Sequence, residues 1–185
     1  VPDSDGQIAG AFAGDPILAH RQACEFARST CLVPIREQTD IVLADSYPAD
    51  LDFWQALKAL NAACGAVNKG GTVILVTPCP EGASSQHHEL TTYGYMPEEK
   101  IRSMVASGQL DKCVGGNMYL GRKLLEKARV ILVSRGISRA DALAMGFRWA
   151  PDAAAALRDA LEYHGSSASI NILYKSAKMI CTVQK

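Results

Sequence analysis

The sequence predicts an α/β domain in which a mostly parallel, Rossmann-like sheet is covered by helices on both faces, in three layers. Two observations lead to this prediction. Segments 40–45 and 71–78 each contain an unbroken run of three or four Val, Ile and Leu residues, which is typical of strands buried on both faces. Such segments alternate with helical patterns, the order expected of a parallel sheet with crossover helices. The chain length suits one domain spanning residues 1–185.

The N-terminal part is predicted to form a strand and then a helix. The segment GQIAGAFAG (6–14) has glycine at both edges of an apolar stretch, which is typical of a short strand. Asp15 can cap the next helix, and Pro16 suits its first position. The helix is predicted to cover ILAHRQACEFARSTC (17–31), with Pro34 preventing its continuation.

The next elements carry the strongest patterns in the chain. Strand 40–45 leads into helix 51–67, which we expect to stop at the Asn-Lys-Gly-Gly segment 68–71. Strand 71–78 follows. The polar segment 79–100 is rich in turn-forming residues and predicts a long loop or a pair of short elements. Its length favours a functional or mobile loop over a simple connector.

The second half of the chain continues the alternation. Ser138 and Asp141 resemble a capping box, and Gly146 and Gly165 can end helices. The predicted helices are 97–108, 117–128, 138–146 and 151–165. The predicted strands are 128–134, 169–175 and 178–183.

Composition limits the classes of partner. The formal net charge is zero, which gives no electrostatic case for binding nucleic acid or an anionic membrane. No apolar stretch is long enough to span a bilayer, and the polar first residues do not resemble a signal peptide. A chain that begins with Val1 is expected to be a piece of a longer one. Six cysteines without a C-x-x-C pair favour a reduced, cytoplasmic protein. Three are predicted to be small buried hydrophobes: Cys24, Cys64 and Cys181.

No catalytic or metal-binding set emerges from the motifs. His87-His88-Glu89 has no further ligand at a telling spacing, so a solvated loop is the preferred interpretation. The segment 115–123 could seat a phosphate at a helix start, but no strong strand precedes it. Neither a dinucleotide fingerprint nor a P-loop is present.

The helix 51–67 holds the candidate binding residues. Its core face is predicted to consist of Phe53, Leu57, Leu60 and Cys64. Trp54, Lys58 and Asn61 fall together on a flank, with Gln55 beside Lys58. A solvated helix face would explain this pattern. However, the helix follows the carboxyl end of a buried strand, where open α/β sheets bind ligands. Lysine could bind a carboxylate, glutamine could add a directional hydrogen bond, and tryptophan could form a wall.

Three segments resemble the C-terminal domain of the LarA family, the nickel-dependent lactate racemases and related 2-hydroxyacid racemases and epimerases. They are AFAGDPILAHRQACEFAR, DIVLADSYPADLDFWQALKALNAACGAVNKGGTVILVTPCPEG and LLEKARVILVSRGIS. The resemblance extends from about position 7 to about position 170. The order of the G-D-P-x-x-A-H start, the Q-A-x-K helix and the K-G-G strand is its most specific feature.

The resemblance implies a two-domain protein with its active site in the cleft between the domains. The implied cofactor is a nickel-pincer nucleotide, and the implied reaction is reversible hydride transfer from a 2-hydroxy acid, lactate or a related acid. In the family, the tethering lysine and the catalytic and nickel-binding histidines belong to the N-terminal domain. This chain would therefore be the C-terminal domain and would partner the N-terminal one. It would carry no catalytic residue or metal ligand, and it would be inactive and free of cofactor alone.

Residue by residue, the resemblance assigns a substrate-binding role to one helix. Lys58 would bind the substrate carboxylate, and Gln55 would hydrogen-bond substrate or cofactor. Trp54 stands where lactate racemases often have tyrosine, which favours a larger or different acid. Two other hypotheses remain at this stage. One is a non-catalytic α/β binding module for a small anion or nucleotide, and the other is a structural domain in which Gln55 and Lys58 are plain surface.

Overall fold

The computed structural model describes residues 1–3 and 5–184. Its main element is a five-stranded parallel sheet, and two further strands form a separate parallel sheet. In chain order the elements are α1 (Pro16–Cys31), β1 (Leu32–Ile35), β2 (Thr39–Asp45), α2 (Phe53–Ala66), β3 (Val67–Val76), α3 (Glu89–Tyr93), α4 (Glu98–Ala106), α5 (Lys112–Lys127), β4 (Arg129–Val133), α6 (Arg139–Ala144), β5 (Arg148–Trp149), α7 (Ala153–His164), β6 (Ile170–Leu173), a 3₁₀ turn (Ser176–Lys178) and β7 (Ile180–Val183).

The strand order of the main sheet is β5-β4-β3-β2-β6, with every neighbouring pair parallel. Alternate residues of each strand face opposite layers, as the pleat requires. Ile41 and Ile74 pack with α7 on one face. Val42 and Leu75 pack with α2 and α5 on the other. The predicted three-layer α/β fold is confirmed.

The helix starts follow the predicted capping chemistry. The Asp15 carboxylate accepts hydrogen bonds from the backbone N–H groups of Ile17 and Leu18, and Ser138 Oγ accepts one from that of Asp141. The predicted core face of α2 is also confirmed. All four of its residues are buried: Phe53, Leu57, Leu60 and Cys64.

One prediction near the N terminus is wrong. Segment 6–14 is not a strand, and only an isolated antiparallel bridge joins Ile8 to Pro2. The segment packs on α1 instead, with the Phe12 and Phe26 rings 5.5 Å apart. The predicted helix 17–31 is confirmed, since α1 ends at Cys31, and Pro34 follows three residues later inside β1. Proline fits there because β1 pairs on one side only, with β7.

The glycines in two other segments do not act as predicted. The Asn-Lys-Gly-Gly segment does not stop α2 but lies inside β3, which begins directly at Val67. At Gly71 an added Cβ would lie 2.7 Å from the carbonyl oxygen of Asp40, so close strand packing requires glycine. The segment 115–123 lies within α5, because that helix starts at Lys112. It therefore forms no phosphate seat at a helix start.

All six cysteines are free thiols, and they differ in how far they are buried. Cys64 is buried as predicted and Cys181 is partly buried. The prediction for Cys24 is wrong, because α1 lies on the surface and exposes it.

Candidate functional site

Helix α2 starts beyond the carboxyl end of β2. The N–H groups of its first three residues cannot bond within the helix, and each donates to another group. The Asp52 carboxylate accepts from Gln55 N at 2.9 Å. The N–H groups of Phe53 and Trp54 donate to the carbonyl oxygens of residues 82 and 83, each at 3.0 Å. An anion at this end of the helix must therefore be bound by side chains, because no first-turn amide remains to cradle it.

The loop after β3 is attached to the start of α2. Besides the two bonds just described, Cys79 N donates to Asp50 O and Glu81 N donates to Leu51 O, both at 3.0 Å. A buried hydroxyl pair lies beneath this junction, with Ser46 Oγ donating to Thr77 Oγ1 at 2.6 Å. These bonds fix the position from which the first turn of α2 presents its side chains.

Trp54 stacks on a histidine of the same loop. The centroids of the Trp54 and His87 rings are 3.9 Å apart, with 27° between the ring planes. The Ser84 hydroxyl accepts hydrogen bonds from the backbone N–H groups of Gln86 and His87, which shapes the turn that carries the histidine. The sequence predicts a solvated loop residue at His87 and gives no sign of this contact, because periodicity in one helix carries no information about a loop 33 positions later.

Gln55 and Lys58 form a hydrogen-bonded pair on the next turn of α2. Lys58 Nζ donates to Gln55 Oε1 at 2.6 Å. This bond leaves the Gln55 amide nitrogen free to donate, and the ammonium group keeps further N–H groups for a ligand. Lys58 is exposed, whereas Trp54 and Gln55 are half-buried. The structure thus brings together the three predicted residues, while their function stays a prediction.

These side chains line a groove of about 340 Å³, which we call the α2 groove. The α2 residues in it are Trp54, Gln55, Leu57, Lys58 and Asn61, and the other lining residues are Asn117, Leu120, Ala177 and Met179. Lys58 is the only charged side chain among them. The groove therefore combines one positive charge with carboxamides and apolar walls, which suits a small organic anion.

Asn117 is a polar groove residue that no sequence pattern indicated. It lies on α5, and its side-chain oxygen is buried without a hydrogen-bond partner among the described residues. The sequence does place a polar residue at this position of a helix. Because α5 was predicted to start only at residue 117, however, its orientation towards α2 could not be inferred.

The thiol of Cys79, in the loop after β3, is buried. Burial raises the pKa of Cys79 to about 11, and the nearby Asp52 and Asp50 carboxylates raise it further, although a hydrogen bond with Thr77 opposes them. A raised pKa favours the neutral thiol near pH 7, which is a weaker nucleophile than the thiolate.

The histidines lie in different surroundings. His20 contacts Cys24 on α1, His164 hydrogen-bonds Thr72, and His88 is exposed at the start of α3. Within residues 1–3 and 5–184, no group of three or more His, Cys, Asp or Glu side chains is placed to hold a metal ion. In the same part of the chain, no helix has both the length and the apolar character needed to cross a membrane.

Comparison with known families gives a match over most of the chain. A family profile described as "Lactate racemase C-terminal domain" matches residues 35–181. The lactate racemase of Lactiplantibacillus plantarum is 35% identical over 94 residues, covering 49% of this chain and 22% of that protein. The lactate racemase of Thermoanaerobacterium thermosaccharolyticum is 34% identical over 84 residues, covering 44% of this chain and 20% of that protein.

Among solved structures, the lactate racemase apoprotein from Thermoanaerobacterium thermosaccharolyticum superposes with a TM-score of 0.80 at 23% identity. The match covers 98% of this chain and 44% of that one. A Thermotoga maritima protein superposes with a TM-score of 0.57 at 14% identity. The chain thus spans less than half the length of the proteins that it matches.

Proposed function

Because this chain belongs to the lactate racemase C-terminal domain family, we propose that it forms the substrate-binding wall of a two-domain 2-hydroxyacid racemase or epimerase. In this proposal Lys58 binds the substrate carboxylate as a compact charge, and Gln55 donates a hydrogen bond from its amide nitrogen. Trp54 closes one side of the site. The observation that carries the proposal is the α2 groove, in which these three side chains meet around a single positive charge.

We further propose that the remaining machinery lies in an N-terminal domain of the same protein, across a cleft from α2. In that protein the nickel-pincer nucleotide would supply a reversible hydride acceptor for the carbon that bears the hydroxyl group. The residues of this chain do not fit a nickel site, since the described part contains no suitable group of ligands. We therefore assign to this chain the binding and orientation of the acid only. Its six free thiols are consistent with the proposed cytoplasmic location.

Replacing Lys58 by alanine tests the proposal. In the two-domain protein loaded with cofactor, we expect Lys58→Ala to raise KM for the 2-hydroxy acid about 10- to 100-fold, because a charge-assisted hydrogen bond to the carboxylate is lost. Initial rates of racemisation, followed by chiral chromatography, give KM and kcat.

The matched control is Lys69→Ala. Lys69 is an exposed lysine at the other end of the sheet, near the start of β3, and it does not line the groove. We expect this variant to keep the KM of the parent protein. Equal effects of the two substitutions, or an unchanged KM in Lys58→Ala, would contradict the proposed role of Lys58. The chain by itself should show no racemase activity in the same assay.

A further inference from the structure

Much of the surface of the α2 groove is apolar. Five of its nine lining residues are hydrophobic, and they come from three elements: Trp54 and Leu57 of α2, Leu120 of α5, and Ala177 and Met179 at the 3₁₀ turn. Leu120 is 39% exposed, and Ala177 and Met179 pack on the core but stay only partly buried. The groove therefore presents apolar surface that the described part of the chain does not cover.

The charge of the groove limits what a bound acid can carry. Lys58 is its only charged lining residue, and in the proposed function this lysine binds the substrate carboxylate. A second carboxylate on the acid would meet no second cation there. Moving such a group out of water without a charged partner is costly. The lining thus disfavours dicarboxylic acids.

The size of the groove leaves room beyond the carboxylate. At about 340 Å³ it falls within the range of small-molecule sites, about 300 to 1,000 Å³. The single methyl group of lactate covers little apolar surface, so Leu120 and Met179 would stay in contact with water. A larger hydrocarbon group would remove that surface from water, which favours binding in proportion to the area covered. The flexible thioether of Met179 can adapt to the shape of such a group.

We infer that the substrate is a 2-hydroxy acid whose chain beyond the hydroxyl-bearing carbon is apolar and bulkier than methyl, such as a branched alkyl or a phenyl group, and that Leu120 and Met179 bind this group. The inference rests on the proposed function, because the carboxylate site at Lys58 fixes one end of the acid. Trp54, held by its stack on His87, adds an aromatic wall. Leu120 and Met179 touch no reacting atom, so they act on affinity.

Four acids test the inference in the cofactor-loaded two-domain protein: lactate, 2-hydroxy-4-methylpentanoate, glycerate and malate. We expect kcat/KM for 2-hydroxy-4-methylpentanoate to exceed that for lactate at least about tenfold, because several methylene-sized contacts are added. Glycerate, with a polar chain, should not exceed lactate, and malate, with a second carboxylate, should be the poorest of the four.

Leu120→Gln removes the apolar contact while keeping the side-chain length and a good helix former. The ratio of kcat/KM between 2-hydroxy-4-methylpentanoate and lactate should fall about tenfold. The fall should appear as a higher KM for the branched acid, with kcat and the KM for lactate close to those of the parent. Met179→Gln, on a different element, should shift the ratio in the same direction.

A matched control separates specificity from a general effect of adding an amide to the surface. Leu143→Gln changes a leucine of α6 that is 55% exposed and does not line the groove, so it should keep the parent ratio. If Leu120→Gln lowers the thermal midpoint, Leu120→Ala takes its place. It shortens the side chain without adding a polar group and should give an intermediate ratio.

Calorimetric titration gives a second readout that does not need turnover. Burial of apolar surface makes the heat-capacity change of binding more negative. This change should be more negative for 2-hydroxy-4-methylpentanoate than for lactate in the parent protein. The difference between the two acids should shrink in Leu120→Gln and persist in Leu143→Gln.

The outcomes distinguish this inference from the proposed function. If Lys58→Ala weakens every acid while Leu120→Gln and Met179→Gln leave the ratio unchanged, the proposed function stands and the inference is wrong. A parent protein that prefers lactate, glycerate or malate also overturns the inference. An equal loss for all four acids in Leu120→Gln overturns it as well, because this leucine would then contact the other domain instead of the substrate.

A failure of the proposed function gives a different pattern. If the branched acid binds in the calorimeter and both Lys58→Ala and Leu120→Gln weaken it, but no acid is racemised, the apolar specificity of the groove stands and the proposed reaction is wrong. If no acid binds, or if Lys58→Ala has no effect on any of them, both proposals fail.

Discussion

At the scale of single residues, Lys58 keeps its positive charge in the groove because its hydrogen-bond partner, Gln55, is neutral. The amide of Gln55 is neutral, so it holds the ammonium group in position without cancelling its charge. A carboxylate of the same shape would hold the lysine equally well but would neutralise it. In the proposed function, glutamine at this position keeps the lysine charge available for the substrate carboxylate.

Gln55→Glu is expected to raise KM for a 2-hydroxy acid as strongly as Lys58→Ala does, about 10- to 100-fold. The new carboxylate would pair with Lys58 and would repel the substrate carboxylate. The free energy of unfolding should change by only about 0.5 kcal/mol, because exposed ion pairs three residues apart contribute little. Steady-state kinetics and urea unfolding check the two parts. An unchanged KM would show that the substrate does not depend on the charge of this pair.

At the scale of elements, two glycines of α5 lie in opposite surroundings. Gly116 is exposed, and a Cβ added there would have no atom within 4 Å. Gly121 is buried against Tyr95, and a Cβ added there would lie 2.1 Å from the Tyr95 ring. The first glycine weakens the helix without a packing reason, whereas the second allows the close approach of the ring.

Gly116→Ala should therefore stabilise the protein by about 0.5 to 1 kcal/mol, because alanine loses less backbone entropy in a helix. Gly121→Ala should destabilise it by about 1 to 3 kcal/mol, because the ring must shift in a packed core. Urea unfolding of both variants measures the difference. The same sign of change in both would contradict this account of α5.

The helix α7 is joined to the sheet by Asp159. The carboxylate accepts from Arg129 of β4 at 2.7 Å and from Arg148 of β5 at 3.0 Å. Burial alone would raise the pKa of Asp159, but the two guanidinium groups outweigh it and hold the pKa below its ordinary value. The ion pairs are thus strongest while the carboxylate is charged.

Asp159→Asn is expected to cost about 1 to 2 kcal/mol at pH 7, since its charge-assisted hydrogen bonds weaken and the side chain is 32% exposed. A lowered pKa in the folded state gives stability that is complete above the unfolded value of about 4 and is lost as the pH falls through the folded value. The difference in the free energy of unfolding between variant and parent should therefore disappear at the acid end of the pH range. Unfolding between pH 7 and pH 2 measures it, with Glu162→Gln on the same helix as control. A difference that is constant with pH would contradict this assignment.

The sequence predicted those helices and strands that are determined by residues close to one another in the chain. Continuous apolar residues predicted β2 and β3, and side-chain caps predicted α1 and α6, because these patterns act within a few residues. The two-residue strand β5 was missed, since its pairing with β4 depends on distant residues. Gly70 and Gly71 resembled a helix stop, but both lie inside β3, and the role of Gly71 depends on the approach of Asp40 from another strand.

At the scale of the whole molecule, the order of the strands explains why the site was only half predictable. The chain passes outward from β2 to β5 with helices on one face, then returns by α7 across the other face to place β6 beside β2. The 3₁₀ turn after β6 consequently lies near α2, and α5 lies on the same face. Lys58 could be selected from its own helix, whereas Asn117 and Met179 reach the groove only through this topology.

The same topology leaves α1 at the periphery. None of its 16 residues is buried, whereas nine residues of α2 are. We expect the backbone amides of α1 to exchange with solvent on the order of 100-fold faster than those of α2 in this chain, because few contacts resist local opening. Hydrogen exchange with mass spectrometry of peptides from both helices measures the ratio. Equal protection would mean that α1 opens only with the whole domain.

Because Trp54 lines the groove and stacks on His87, its fluorescence reports on the surroundings of the groove. Indole emission depends on the group in contact with the ring, and the other tryptophan of the chain, Trp149, lies on β5 at the far edge of the sheet. In the proposed function, an acid that binds beside Lys58 would alter the surroundings of Trp54 but not those of Trp149. With Trp149 replaced by phenylalanine, the intrinsic fluorescence of the protein becomes a direct signal of occupancy, so affinities can be read without turnover and without a label.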